Sequence, residues 1–445
     1  MKYLTVLFVG MLISCGNFAL YGQEAMNSGM IDVKKIDAGA AAKMTVETSE
    51  MVKQSGNNIK ISEEIINETA ASSRPQMEGS ATWTNYTRYP VNSRFERGAI
   101  GDYRADMTAE VSQVLWAFGR ISNAIAAAKE GASASEYMDE ANRLDAEYTG
   151  KMAFYHLVYA DNVHVIAQES YNNSVETKKI IEERSEGGRV SRKDNIDIES
   201  DIASRATLVN DSRSNMKIAE NSFKRLSGLG IKDKVYPVMN EDEVFSEIDP
   251  DAMINMLFEN EPTLKALDSQ LKASGRTVKA SFAEYFPTVA AFGNWTYSGH
   301  SDSRKVPYIN NKDQMDQIGL MGVKVTLPVW EGGARGAKLE QAKLKEKNAR
   351  LSLEKAKKDL ELELYNAVSE YNESIDTLKA NDKAVDLAGQ TFMLFKELVS
   401  SGQISLLELS DAELMLANEK LKKEGTLYGI RASKAKIDRL VNARM

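Results

Sequence analysis

The residues able to do chemistry are few, and their spacing argues against catalysis. The chain has 3 histidines and 1 cysteine among 445 residues. His156 and His164 stand too far apart on a helix to chelate as an i, i+4 pair, and His300 is remote from both. No phosphate-cradling glycine loop and no nucleophile motif accompanies them. The expectation is a non-enzyme with no metal and no cofactor. The carboxylates are more suggestive. Glu408 and Asp411 share one helix face, and Asp194 and Asp197 repeat their spacing. Repeated around a symmetric pore, such positions become acidic rings, which select cations and raise the barrier to anions. Arg192 and Lys193 stand beside Asp194 and Asp197, placed to pair with these acids and hold a closed state. The same residues have a second reading. Ser405-x-x-Glu408 is a capping box, and Ser191-x-x-Asp194 resembles one. Acids in a first turn also favour the helix dipole. Capping accounts for Glu408 and Asp194, but not for Asp411 and Asp197, a turn further in.

Long helices must position these acids. From 337 to 398 there is no proline, and the only glycine is Gly389. At about 1.5 Å per residue such a helix reaches roughly 90 Å. Leu339, Ala342, Glu346, Ala349, Leu353, Ala356 and Leu360 step by three and four, a coiled-coil seam with Glu346 as its polar exception. Beyond the turn, Leu407, Leu414, Leu421 and Tyr428 recur every seven residues. Leu409 and Leu416, then Ile430 and Ile437, form a second such series. Two seams predict neighbours on both sides, as in the wall of a cylinder. An isolated two-stranded coiled coil would need only one seam; for the helices alone, an ordinary long helical hairpin in a bundle is the rival reading.

The chain is written twice. Pro75 and Pro287 (287 − 75 = 212) are each followed by Trp-Thr, at Trp83-Thr84 and Trp295-Thr296. The same offset pairs Val111 with Val323, Leu115 with Leu327 and Tyr159 with Tyr371. Gly188-x-Val190-Ser191 answers Gly402-x-Ile404-Ser405 two residues later in phase. Each repeat reads helix, strand, polar loop, strand, very long helix, short turn, helix. The second repeat's first helix is predicted over about 249 to 285.

Alternation of apolar and polar residues marks four segments as strands. Val289, Ala291, Trp295 and Tyr297 oppose Thr288, Asn294, Thr296 and Ser298. Val323, Val325 and Leu327 oppose Gly322, Lys324 and Thr326. Trp83, Val111 and Leu115 take the apolar side in the first repeat. Each segment has about the length of a tilted membrane strand. One face is expected on lipid and the other on water, with Trp83, Val111, Leu115, Val289, Trp295, Val323 and Val325 facing lipid. Trp83, Trp295, Tyr86 and Tyr297 are candidates for an interfacial aromatic girdle or for packing between strands. The polar loops at 87–104 and 299–315 suit the extracellular end. Four strands cannot close a barrel, and an open edge in lipid leaves backbone groups unpaired. The chain must therefore oligomerise; three copies supply twelve strands.

Composition agrees. Net charge is −8, from 56 basic and 64 acidic residues, with no basic stripe for nucleic acid. The 8 prolines leave room for long helices. Lys2 and the apolar stretch from Leu4 to Ile13 read as a signal peptide with cleavage after Gly22. Cys15 sits in a lipobox-like Leu-Ile-Ser-Cys, so it is either lipidated or lost with the leader.

Three stretches then resemble the TolC-like outer membrane factor family: Ala283-Glu284-Tyr285-Phe286-Pro287-Thr288-Val289, Leu327-Pro328-Val329-Trp330-Glu331-Gly332-Gly333, and Gly402-x-x-Ser405-x-Leu407-Glu408-Leu409-x-Asp411-Ala412. The resemblance covers about residues 40 to 443 and is stronger in the second repeat. In the first, Leu115-Trp116-Ala117-Phe118-Gly119 replaces the Pro-x-x-x-Gly-Gly pattern, and Pro262 has no counterpart. The resemblance implies a mixed fold, a membrane β-barrel plus a long α-helical coiled-coil tunnel, closed only as a homotrimer of twelve strands and twelve helices. It implies the outer membrane of a Gram-negative bacterium with a long periplasmic extension, and outer-membrane lipid around the barrel. It implies a passive exit duct for efflux or type I secretion, docked through a periplasmic adaptor (a membrane fusion protein) on an inner-membrane efflux pump or ABC exporter. Glu408 and Asp411 match the family's acidic positions at the periplasmic constriction. The turns Gly188, Val190, Ser191 and Gly402, Ile404, Ser405 would be the adaptor-docking tips. On this reading residues 1–22 are leader and 23–38 an N-terminal periplasmic segment. Residues 39–228 are the first repeat, with strands near 76–86 and 105–116. Residues 229–248 are an equatorial linker. Residues 249–445 are the second repeat, with strands near 288–298 and 317–328 and helices to 443. A periplasmic adaptor, or another structural coiled-coil protein of an export complex, is the rival reading. An adaptor should carry lipoyl-like and β-barrel segments flanking one hairpin.

Overall fold

The computed structural model describes residues 33–85, 103–186, 192–239, 243–301 and 315–442. In chain order the elements are β1 (Val33–Ile36), α1 (Ala38–Thr48), α2 (Glu50–Ala71), β2 (Gln76–Asn85), β3 (Tyr103–Trp116), α3 (Arg120–Glu186) and α4 (Arg192–Ser227). The second half continues with β4 (Lys234–Pro237), α5 (Pro250–Asn260), α6 (Pro262–Ala283), β5 (Thr288–Ser301), β6 (Met315–Thr326), α7 (Ala334–Ser401) and α8 (Leu406–Val441). Among the described residues no helix is long and apolar enough to cross a membrane.

The alternating segments form one antiparallel sheet in the order β2-β3-β5-β6. Directly paired residues share a face. Trp83 stands opposite Ala105, Val111 opposite Gly293, Trp295 opposite Gly319, Val323 opposite Ala291 and Val325 opposite Val289. The register therefore joins these residues into one apolar face running across all four strands. Leu115 departs from the expectation. A bulge follows Val114, and Trp116 rather than Leu115 stands opposite Val289. The other face is mainly polar: Glu78 pairs with Glu110, Glu110 with Asn294, and the hydroxyls of Thr108 and Thr296 meet at 3.3 Å.

The helices continue that order. α3 packs against α2 and α6, and α6 against α7. Because α2 leads into β2, α3 leaves β3, α6 leads into β5 and α7 leaves β6, each strand has a helix below it. α3 has 67 residues and α7 has 68, so each runs about 100 Å. At the sheet–helix junction both repeats use the same backbone turn. Gly332 and Gly333 have φ of 61° and 86°; Phe118 and Gly119 have 50° and 86°. The first repeat thus keeps the turn with a phenylalanine in a conformation bulky residues avoid.

The helix expected over 249–285 is divided. Pro262 begins α6 after Glu261, since proline cannot donate to the preceding turn. The first repeat breaks at the equivalent place without proline. Ser49 ends α1 and caps α2, its hydroxyl accepting from the Val52 amide at 3.4 Å. Around this waist β1 and β4 pair in parallel, and the segment after β4 lies on the second repeat. There Arg431 holds Glu243 at 3.2 Å, and the Asn372 side chain bonds both backbone groups of Ile248 at 3.0 and 2.9 Å.

Candidate functional site

The candidate site lies where α7 turns into α8. Gly402 has φ of 80°, which lets its amide reach the Val399 carbonyl and the Gln403 amide reach Leu398, each at 3.0 Å. Ser405 then starts α8. Its hydroxyl accepts from the Glu408 amide at 3.3 Å, while the Glu408 carboxylate accepts from the Ser405 amide at 2.8 Å and its hydroxyl at 2.9 Å. This is a complete capping box. The Ser405 backbone bond, followed by the hydroxyl bond, holds the Glu408 carboxyl below its ordinary range. Asp411 is exposed one turn further along, and among the described residues no ion pair holds it. In the first repeat Asp197 takes Lys193 at 2.6 Å. Gly188, Val190 and Ser191 lie outside the described residues, as do Cys15 and the side chains of Arg192 and Asp194.

Ile404 at this turn is half-buried against the cluster of Ala388, Phe392, Val399, Leu409 and Leu416. The exposed apolar group there is Leu407, at 66% of its surface.

The two seams of α8 find two partners. Leu409, Leu416, Ile430 and Ile437 are buried against α7. Of the other series, Tyr428 faces α3, its ring 5.5 Å from Tyr159, while Leu407 and Leu414 are exposed. Polar links occur inside the α7–α8 hairpin, where Lys423 takes Asp382 at 2.7 Å and Lys436 takes Glu363 at 3.2 Å, and between the two repeats as well. Lys420 takes Glu169 at 2.7 Å, Lys396 takes Glu176 at 2.8 Å, Asn162 donates to Glu424 at 2.7 Å and Arg439 takes Asp145 at 2.7 Å.

The centre of this polar interface is a buried cluster that the sequence reading missed. Arg205 of α4 is only 2% exposed. Its guanidinium takes Asp201 at 2.8 Å, contacts the Glu413 carboxylate of α8 and the Ser170 hydroxyl of α3, and reaches Ser410 at 3.4 Å. Ser174 and Ser410 donate to Asp201 at 2.6 and 3.2 Å. Burial pushes the Glu413 carboxyl up, and the Arg205 charge pulls it back only in part. A signal was present in sequence. Ile198, Arg205, Val209, Ser212, Ala219 and Phe223 form one buried stripe of α4, and a charge on such a stripe needs a partner.

Two patterns are now in place: a four-stranded sheet with one apolar face, and long paired helices ending in capped turns. Residues 253–443 match the outer membrane efflux protein family. The resemblance to TolC-like outer membrane factors holds in the fold as well. The chain is similar to the CmeC outer membrane channel of Campylobacter jejuni (17% identity, TM-score 0.77, covering 91% of this chain and 85% of that one). It is similar to the outer membrane protein VceC of Vibrio cholerae (14%, 0.76, 91% and 96%). It is also similar to the open state of the MtrE outer membrane channel of Neisseria gonorrhoeae (16%, 0.70, 91% and 89%). No curated protein matches the sequence. The efflux-protein match takes in the capping box, Asp411, Glu413 and all of α7, and stops short of the first repeat, where Trp116 to Gly119 stand in for the Pro-x-x-x-Gly-Gly pattern.

Proposed function

We propose that three copies of this chain form an exit duct through the outer membrane of a Gram-negative bacterium, passively conducting substrates handed on by an inner-membrane pump and a periplasmic adaptor. The observation that carries the reading is the sheet. It has one continuous apolar face, and strands β2 and β6 end it without partners among the described residues. In lipid those edges require strands from neighbouring copies. Three copies give a twelve-stranded barrel continued by the helices as a tunnel. Exposed Leu344, Leu351 and Leu362 of α7 and exposed Met51, Ile61 and Ile65 of α2 supply apolar stripes for the helical seam between copies. The Leu407 turn is the adaptor-facing tip. Asp411 lines the constriction, and Glu408 serves the cap. The efflux-family match supports this reading, as does the likeness to three outer membrane channels and proteins.

Single-channel recording in planar bilayers tests it. Small cation-selective openings are expected, and Asp411→Ala should enlarge them. A verified trimer that passes no current would sink the duct.

A further inference from the structure

A groove of about 560 Å³ lies where the sheet meets the helices, between the start of α3, the end of α6 and the start of α7. That volume is within the range of ligand sites. Its floor is aromatic. Phe118 stacks on Phe286 at 5.4 Å with the rings 16° apart, and Phe282 meets Phe286 edge-on at 5.6 Å. Leu339 closes the α7 side. Phe118 is the residue held at φ 50°, a conformation that costs about 1–2 kcal/mol without glycine. The second repeat makes the same turn with Gly332 and Gly333, so a phenylalanine is not needed for the turn. What it adds is the ring in the groove.

The groove is continuous with the apolar sheet face. Trp116 stands on that face opposite Val289, and its ring lies 6.0 Å from Phe118. Lys279 of α6 and Lys343 of α7 both line the groove and both are exposed. Nearby acids are largely engaged, Glu284 by Lys338 and Glu331 by Arg335 at 3.1 Å; Glu340 touches Lys343 loosely at 3.6 Å. An apolar slot opening on a lipid face with two ammonium groups at its rim fits a molecule that is a hydrocarbon chain at one end and a phosphate at the other.

We propose that this groove binds one phospholipid per chain from the leaflet nearest the helices. One acyl chain lies against Phe118, Phe282 and Phe286, and the phosphate sits between Lys279 and Lys343. The proposal rests on the sheet lying in a membrane, as the duct reading requires.

Native mass spectrometry of the delipidated assembly, offered dioleoyl-phosphatidylglycerol in a neutral detergent, tests it. One lipid should be retained per chain. The double variant Lys279→Gln with Lys343→Gln should bind it about tenfold more weakly, from the attraction of an anionic headgroup to two nearby lysines. Phe282→Asp should abolish retention, with the assembly intact. Equal retention in all three proteins overturns the proposal. So does a wild type that keeps only detergent. Leu339→Cys in the lipid-free assembly should react with a lipid-soluble maleimide. Protection there means that a neighbouring copy fills the groove, which also overturns it. Failure of the duct reading looks different: the protein would not assemble. A lone chain that still held one lipid in a lysine-dependent way would keep the groove.

Discussion

Arg205 and Glu413 are the residues on which the two repeats lean. Taking a charge out of water costs several kcal/mol, and the pair offsets it only while both partners stay. Arg205→Ala leaves Glu413 buried beside Asp201, so it should lower stability by about 3–5 kcal/mol. Arg205→Met combined with Glu413→Leu should recover most of that loss in chemical unfolding of the detergent-solubilised protein. Burial holds the Glu413 carboxyl above the ordinary value of 4.5. Between that value and the raised one, the folded chain keeps a proton that the unfolded chain releases. This contribution to stability is therefore complete at low pH and is lost as pH rises through the window. Glu413→Gln should flatten that slope relative to wild type. Glu261, buried and raised for the same reason, should leave a residual slope in the variant. Glu408 and Asp411 divide their duties. Glu408 spends its carboxylate on Ser405, so Asp411→Asn should reduce cation selectivity more than Glu408→Gln does in the same bilayer recordings. An equal loss from both would return Glu408 to the lumen.

At the scale of elements, the strands follow period-two alternation strictly enough that side matters more than residue type. Val323 and Lys324 are neighbours in β6 on opposite faces. Val323→Arg near the middle of the bilayer should cost about 2–4 kcal/mol, read as loss of the oligomeric species extracted without heating. Lys324→Ala should change little. The helices are less forgiving where α1 crosses α3. A Cβ on Gly150 would come within 2.9 Å of the Ala41 carbonyl oxygen, so Gly150→Ala should loosen α1, seen as faster hydrogen exchange there. The elements were legible in sequence to different depths. Val289, Trp295, Val323 and Val325 could be placed on one face because successive residues of a strand point to opposite sides. The break at Ser49 was not visible, because a serine cap ends a helix as firmly as Pro262 but occurs in many other places. The bulge at Leu115 needs its partner strand to be seen, since register is a property of two strands. The Arg205 cluster joins three helices, and no single-helix pattern names the partner of a buried charge.

Across the whole molecule, ion pairs and hydrogen bonds link helix to helix both within each hairpin and between hairpins. Lys420 with Glu169, Lys396 with Glu176 and Arg205 with Glu413 are all of the second kind. Among the described residues the chain also leaves much unfinished: a sheet with two bare edges, apolar stripes on α2 and α7, and an exposed leucine at the turn. On the proposed reading, copies of the chain or a docking partner cover each of these. The central claim is thus one of number. The most direct measurement is the mass of the detergent-extracted outer-membrane species before and after heating. The account predicts three chains in a heat-sensitive particle that falls to single chains on boiling. A stable, folded single chain extracted from the membrane would contradict it.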